Sequence, residues 1–201
     1  MIHAFADIGF RETGMAQGGQ IKILGICGSL RHASFNKAAL REAIKLAPQG
    51  VTIEEADISQ ISPYNEDVFA KGFPAPVEAL RRQIATADAL LFVTPEYNYS
   101  MPGVLKNAID WASRPPSQPF AGKPVAMMGA SMGMFGTGRA QYHLRQTCVF
   151  LDMHPINKPE VMIPAAQTKF DANGQLTDEP TRGFIAALLV ALRDWALRLK
   201  G

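Results

Sequence analysis

Three short stretches of this 201-residue sequence gather side chains suited to holding an anion and a planar ring. The first is GSLRHASFN, residues 28–36. Gly28 permits a tight backbone, Ser29, Ser34 and Asn36 are neutral hydrogen-bonding groups, and Arg31 is a forked cation. If a helix follows, its free N–H groups complete a phosphate cradle. The spacing fits neither GxGxxG nor GxxxxGK[ST], which argues against an ordinary dinucleotide fold or a P-loop ATPase. The alternative is a polar helix cap with a surface arginine. The second stretch is TPEYNYSMPG, residues 94–103. Tyr97 and Tyr99 supply aromatic faces, Asn98, Ser100 and backbone amides supply polar contacts, and two prolines limit loop freedom. That mixture suits a heteroaromatic ring, although a purely structural loop would use the same residues. The third, GASMGMFGTGRA, residues 129–140, has four glycines before Arg139 and allows close backbone approach. Arg139 either caps such a site or pairs at the start of the next helix.

These stretches need elements to place them. IKILGIC, residues 21–27, reads as a buried strand of the kind parallel sheets require. Residues 35–47 have helical apolar spacing, and Pro48 and Gly50 stop them. VTIEEA, 51–56, alternates as a more exposed strand. A long connection leads to VEALRRQIATA, with Val77, Leu80, Ile84 and Ala87 towards the core. ALLFVT (89–94), a helix over 104–113, PVAMMGAS (124–131), a helix over 139–151, a last strand beginning at HPI and a final helix over 179–199 complete the order. Residues 157–178 read as irregular, and Pro180 is tolerated in a first helical turn. Alternating strands and helices imply right-handed crossovers and a five-stranded, doubly wound parallel sheet with helices on both faces, a flavodoxin-like α/β domain. Each suspicious stretch then falls beyond the carboxyl end of a strand, where such sheets bind ligands. Residues 1–20 read as an N-terminal extension and 21–201 as one domain.

Composition narrows the classes. Hydrophobic residues are 47% and charged residues 19%, a globular balance. Twenty basic against eighteen acidic residues leave a net charge of +2, with no basic footprint for nucleic acid. Two distant cysteines, Cys27 and Cys148, and four scattered histidines match no metal spacing. The first residues lack the basic and apolar regions of a secretory leader, and the run from Ile185 to Leu192 is too short to span a bilayer, so the cytoplasm is the expected location.

Residues 23–36, 93–111 and 129–146, together with FDANGQLTDEPTR, resemble the NADPH-dependent FMN reductase family, in its bacterial chromate and quinone reductase branch. The resemblance runs over about residues 21–199. It implies that Ser29, Arg31, Ser34 and Asn36 hold the FMN phosphate. Pro95, Glu96, Tyr97 and Asn98 would line the isoalloxazine, with Ser131 and Gly133 at its opposite side or ribityl chain. It further implies a ping-pong reaction in which NADPH or NADH gives hydride to the flavin, and a quinone, chromate, azo or nitro compound takes the electrons. The family's assemblies are homodimers that pair into homotetramers, with FMN near a subunit interface. Arg114 and Tyr99 are the candidate substrate contacts, Arg114 being equally readable as a solvated arginine. Glu96 either faces the flavin or caps local backbone amides. No catalytic acid and no metal are expected. A non-enzymatic flavodoxin-like electron carrier, a scaffold that retained the fold and an azoreductase are the alternatives. The first is disfavoured by the lack of an acidic docking face.

Overall fold

The computed structural model describes residues 20–201, so the expected extension over 1–20 lies outside the described residues except for Gln20. Strand β1 (Ile21–Cys27) runs down the sheet interior. Its alternation sends Ile21 and Ile23 to one core and Leu24 and Ile26 to the other. Glycine at position 25 is what lets a helix lie flat on this strand, because a Cβ there would come within 2.6 Å of Leu40. That helix, α1 (Phe35–Lys45), begins where the Ser34 hydroxyl accepts from the amides of Asn36 and Lys37.

The remaining strands are β2 (Val51–Ala56), β3 (Ala89–Val93), β4 (Pro124–Ala130), β5 (His154–Pro155) and β6 (Val161–Ile163). All pairings are parallel, in the order β2-β1-β3-β4-β5, with β6 also on β4. β5 pairs with Pro124 and Val125, and β6 with Met128 to Ala130. They therefore fill one strand position in two pieces, and the sheet has five positions as expected. β6 falls in a segment that reads as irregular: three residues between Pro159 and Pro164 are too few to show a period.

The remaining helices are α2 (Glu66–Phe69), α3 (Ala75–Thr86), α4 (Gly103–Ala112), α5 (Gly138–Phe150) and α6 (Glu179–Lys200). One core packs α1 and α6 against the sheet, and the other packs α3, α4 and α5. Val77, Leu80, Ile84 and Ala87 are all buried, as the helical spacing requires. Each such side chain removed from water contributes roughly 2 kcal/mol. Asp178 caps α6 through the Thr181 amide, and Pro180 sits in its first turn. The fold is the flavodoxin-like α/β arrangement. After β2 the chain crosses back over β1 to place β3 on its far side, so the switch point lies between β1 and β3.

Candidate functional site

The loops after β1, β3 and β4 meet at that point. The Gly28 amide donates to Val93 O at 2.9 Å, and the Thr94 amide to Met128 O at 3.0 Å. A Cβ on Gly129 would lie 2.1 Å from Thr94 O and from Thr137 Oγ1, so β3 and β4 leave their ends in contact only because residue 129 is glycine. Asn36 bolts the first loop to the third: its amide donates to Ala130 O at 2.9 Å and its oxygen accepts from Ala130 N at 2.8 Å.

Among the described residues, no backbone N–H from Ser29 to Ser34 has a hydrogen-bond acceptor. These amides, at the entry to α1, form the concave donor surface that a phosphate requires. Ser29 and Ser34 are buried beside them. The Ser34 oxygen already accepts from the helix, which leaves its hydroxyl hydrogen to donate outward. Arg31 is exposed, 5.8 Å from the Phe35 ring. Asn36 lies beside Ser34, with one amide N–H and one oxygen lone pair committed to Ala130.

The second loop starts at buried Pro95 and closes as a two-residue turn. Tyr97 N donates to Ser100 O at 2.9 Å and Ser100 N to Tyr97 O at 3.0 Å. The central residues, Asn98 (φ 50°) and Tyr99 (φ 67°), are both left-handed. For a non-glycine residue this conformation costs about 1–2 kcal/mol, and asparagine tolerates it better than tyrosine. Neither central amide donates a hydrogen bond among the described residues, so the turn presents two free donors beside two exposed aromatic rings.

Glu96 points elsewhere. Its side chain is 6% exposed and ion-pairs with Arg139 at 2.5 Å. Its other oxygen accepts from the amides of Arg139 and Ala140 at 3.1 and 3.2 Å. Thr137, the residue before α5, makes no side-chain cap. Glu96 therefore supplies from 43 positions away the carboxylate that a helix N-terminus favours. The sequence offers it as a cap for local backbone amides, whereas the amides it accepts from belong to a helix distant in sequence. Arg139 lies over the Tyr99 ring at 3.6 Å and 5.0 Å from Phe135.

In the third loop, Ser131 Oγ accepts from Gly133 N at 3.0 Å, and Ser131 N donates to Ile163 O at 3.0 Å. β6 thus anchors this loop. Gly136 (φ 56°) presses on the backbone of Met162 and Ile163, leaving no room for a Cβ. Met132, Met134 and Phe135 stand exposed as an apolar rim.

Arg114 lies apart from the three loops, at the end of α4. It is held by Asp110 O at 3.0 Å and lies 5.4 Å from the Tyr64 ring. It shares a groove of about 670 Å³ between α4 and α5 with Ser100, His143 and Phe150. His143 Nδ1 is 2.9 Å from Ser100 Oγ. The sequence reads His143 only as a surface or interface residue. Its spacing of four from Arg139 is the available sign that both reach the same loop.

The thiols are not nucleophiles. Burial pushes Cys27 to about 11 and Cys148 to about 12, so both stay protonated at neutral pH. Among the described residues, no cluster of three or more His, Cys, Asp or Glu side chains is placed to bind a metal. The arrangement can hold a phosphate and a flat ring at adjacent positions.

A model of the family described as NADPH-dependent FMN reductase matches residues 21–168. The chain is 67% identical over 181 residues to an NAD(P)H-dependent FMN reductase of Pseudomonas aeruginosa, covering 90% of this chain and 98% of that one. It is 46% identical over 184 residues to a quinone reductase of Escherichia coli K12, covering 90% and 98%. Among solved structures, it is similar to the flavoenzyme FerB, an NAD(P)H:(acceptor) oxidoreductase of Paracoccus denitrificans. That likeness has a TM-score of 0.81 and 35% identity over 89% of this chain and 98% of the other.

Proposed function

Because the chain belongs to the NADPH-dependent FMN reductase family, we propose that residues 21–201 form one FMN-binding domain that oxidises NADPH or NADH and reduces quinones. The observation that carries this reading is the set of unpartnered amides at Ser29–Ser34 and Asn98–Tyr99, on two loops that flank the switch point. They match the two polar parts of FMN, a phosphate and a ring edge.

Ser29, Ser34 and the amides between them would hold the phosphate, with Arg31 closing over it from solvent. Pro95, Tyr97 and the Asn98 and Tyr99 amides would line the isoalloxazine, and Ser131 and Gly133 the ribityl side. Asn36 and Glu96 act by fixing loops in place, through Ala130 and through α5. Bound FMN would supply the hydride and electron chemistry. This chain's residues orient the nicotinamide and then the acceptor in turn on the open side, where Tyr99 and the Met132–Phe135 rim exclude water. Arg114, in the neighbouring groove, would attract an anionic substrate or a nicotinamide phosphate. Chromate, azo and nitro compounds are further acceptors for such an open flavin.

The exposed Val149 and Phe150 on α5, with Phe150 lining the groove between α4 and α5, support a homodimer formed through these helices, and pairing of dimers would give the homotetramer. Two buried free thiols fit a reducing, cytoplasmic compartment.

The test is the visible spectrum of protein reconstituted with FMN, desalted and then mixed with NADPH or NADH without oxygen. Retained flavin colour that bleaches within seconds, and returns on adding a benzoquinone, is expected. Colour lost on desalting, or retained but never bleached by either nucleotide, would sink the reading.

A further inference from the structure

Residues 97–100 hold a conformation that their own sequence disfavours. Two-residue turns of this kind are ordinarily built on Asn-Gly, yet the second left-handed position is Tyr99, at φ 67°. The two hydrogen bonds inside the turn are those that any such turn makes, so they do not offset the tyrosine. The compensation comes from α5. The guanidinium carbon of Arg139 lies 3.6 Å from the Tyr99 ring centroid. Arg139 is itself fixed by the 2.5 Å ion pair to buried Glu96. One helical turn later His143 meets Ser100 at 2.9 Å. The loop is thus clamped to one face of α5 at residues 96, 99 and 100. Arg139 Nε is buried and makes no hydrogen bond among the described residues. The guanidinium lies over the Tyr99 ring and pairs its charge with Glu96.

We propose that Arg139 is a positioning residue for the ring-binding turn. Its guanidinium holds Tyr99 in the left-handed conformation, so that the free amides of Asn98 and Tyr99 are fixed before the flavin arrives. This role presupposes that the loops hold a flavin. A ligand that needs one loop arrangement binds with an apparent affinity reduced by the fraction of molecules that hold it. Lysine at 139 would keep a charge for Glu96 but has no flat face for Tyr99. Glycine at 99 would take the left-handed conformation without help.

The experiment is a double-mutant cycle on wild-type, R139K, Y99G and the double variant. It measures FMN dissociation constants by flavin fluorescence, with oligomeric state checked by light scattering. R139K is expected to weaken FMN binding roughly tenfold in the wild-type background and about twofold or less in the Y99G background. Hydrogen exchange of the flavin-free proteins supplies a second readout. Protection of the Tyr97 and Ser100 amides, which close the turn, is expected to fall in R139K and return in the double variant. Equal loss of affinity in both backgrounds, with unchanged protection of these amides, would overturn the role and leave Arg139 acting through charge or general stability. If wild-type protein bound no FMN, the flavin reading would fail, while the exchange measurement would still decide whether Arg139 holds the turn.

Discussion

Glu96 sits in the loop after β3 but serves a helix. Its carboxylate is buried and satisfied by one guanidinium and two backbone amides, all from the first turn of α5. Removing it would leave Arg139 and a helix N-terminus short of an acceptor. The expected cost of Glu96→Ala is about 3 kcal/mol in chemical denaturation. Glu96→Gln, which keeps an acceptor but no charge, should lose less. A cost near zero for the alanine variant would mean that water replaces the carboxylate. The types of the site residues were legible in the sequence, because serine, arginine and tyrosine announce their chemistry. Their partners were not. The contact between Glu96 and Arg139 spans 43 positions, and no local pattern reports it. Likewise Asn36 reads as a phosphate ligand in its loop, and only the sheet reveals that both ends of its amide are bonded to Ala130.

At the scale of elements, α6 is latched at its end. Lys200 Nζ lies 2.8 Å from Asp88 Oδ1, while the Lys22 amide donates to Asp88 Oδ2 at 2.7 Å. Partial burial alone would raise the Asp88 carboxyl, but the bonds from Lys200 and Lys22 outweigh it and hold the group below its usual value. A lowered carboxyl contributes stability that is complete above the unfolded value, near ~4. That contribution fades as pH falls through the lowered folded value and is gone below it. Asp88→Asn should therefore lower Tm at pH 7 and make little difference once both carboxyl forms are protonated in acid. Thermal melts of both proteins across pH 2–7 check this; a constant gap would assign the effect to shape and not charge. Strand and helix positions were largely readable because each long element carries its own period. The observed bounds of β1 and β2 coincide with the expected ones. The pieces that escaped, β6 and the four-residue α2, are shorter than two full repeats of the pattern that would betray them.

For the whole molecule, the α4–α5 face is where self-association is proposed. Phe150 is 86% exposed and Val149 82% exposed, beside the groove that also holds His143 and Arg114. If the proposed homodimer forms through this face, Phe150→Asp should shift the mass measured by light scattering from dimer towards monomer, and weaken FMN retention where the flavin lies near that interface. An unchanged mass would move the interface elsewhere. The two-piece last strand bears on the same question from the opposite side of the sheet. An uninterrupted edge is a template on which another chain can add a strand. Here that border is broken into runs of two and three residues, and Pro155 in the first run and Pro159 between the runs offer no N–H to a recruited strand. Growth by strand addition is opposed at this border, whereas association through a helical face can end at a closed assembly and not a fibre.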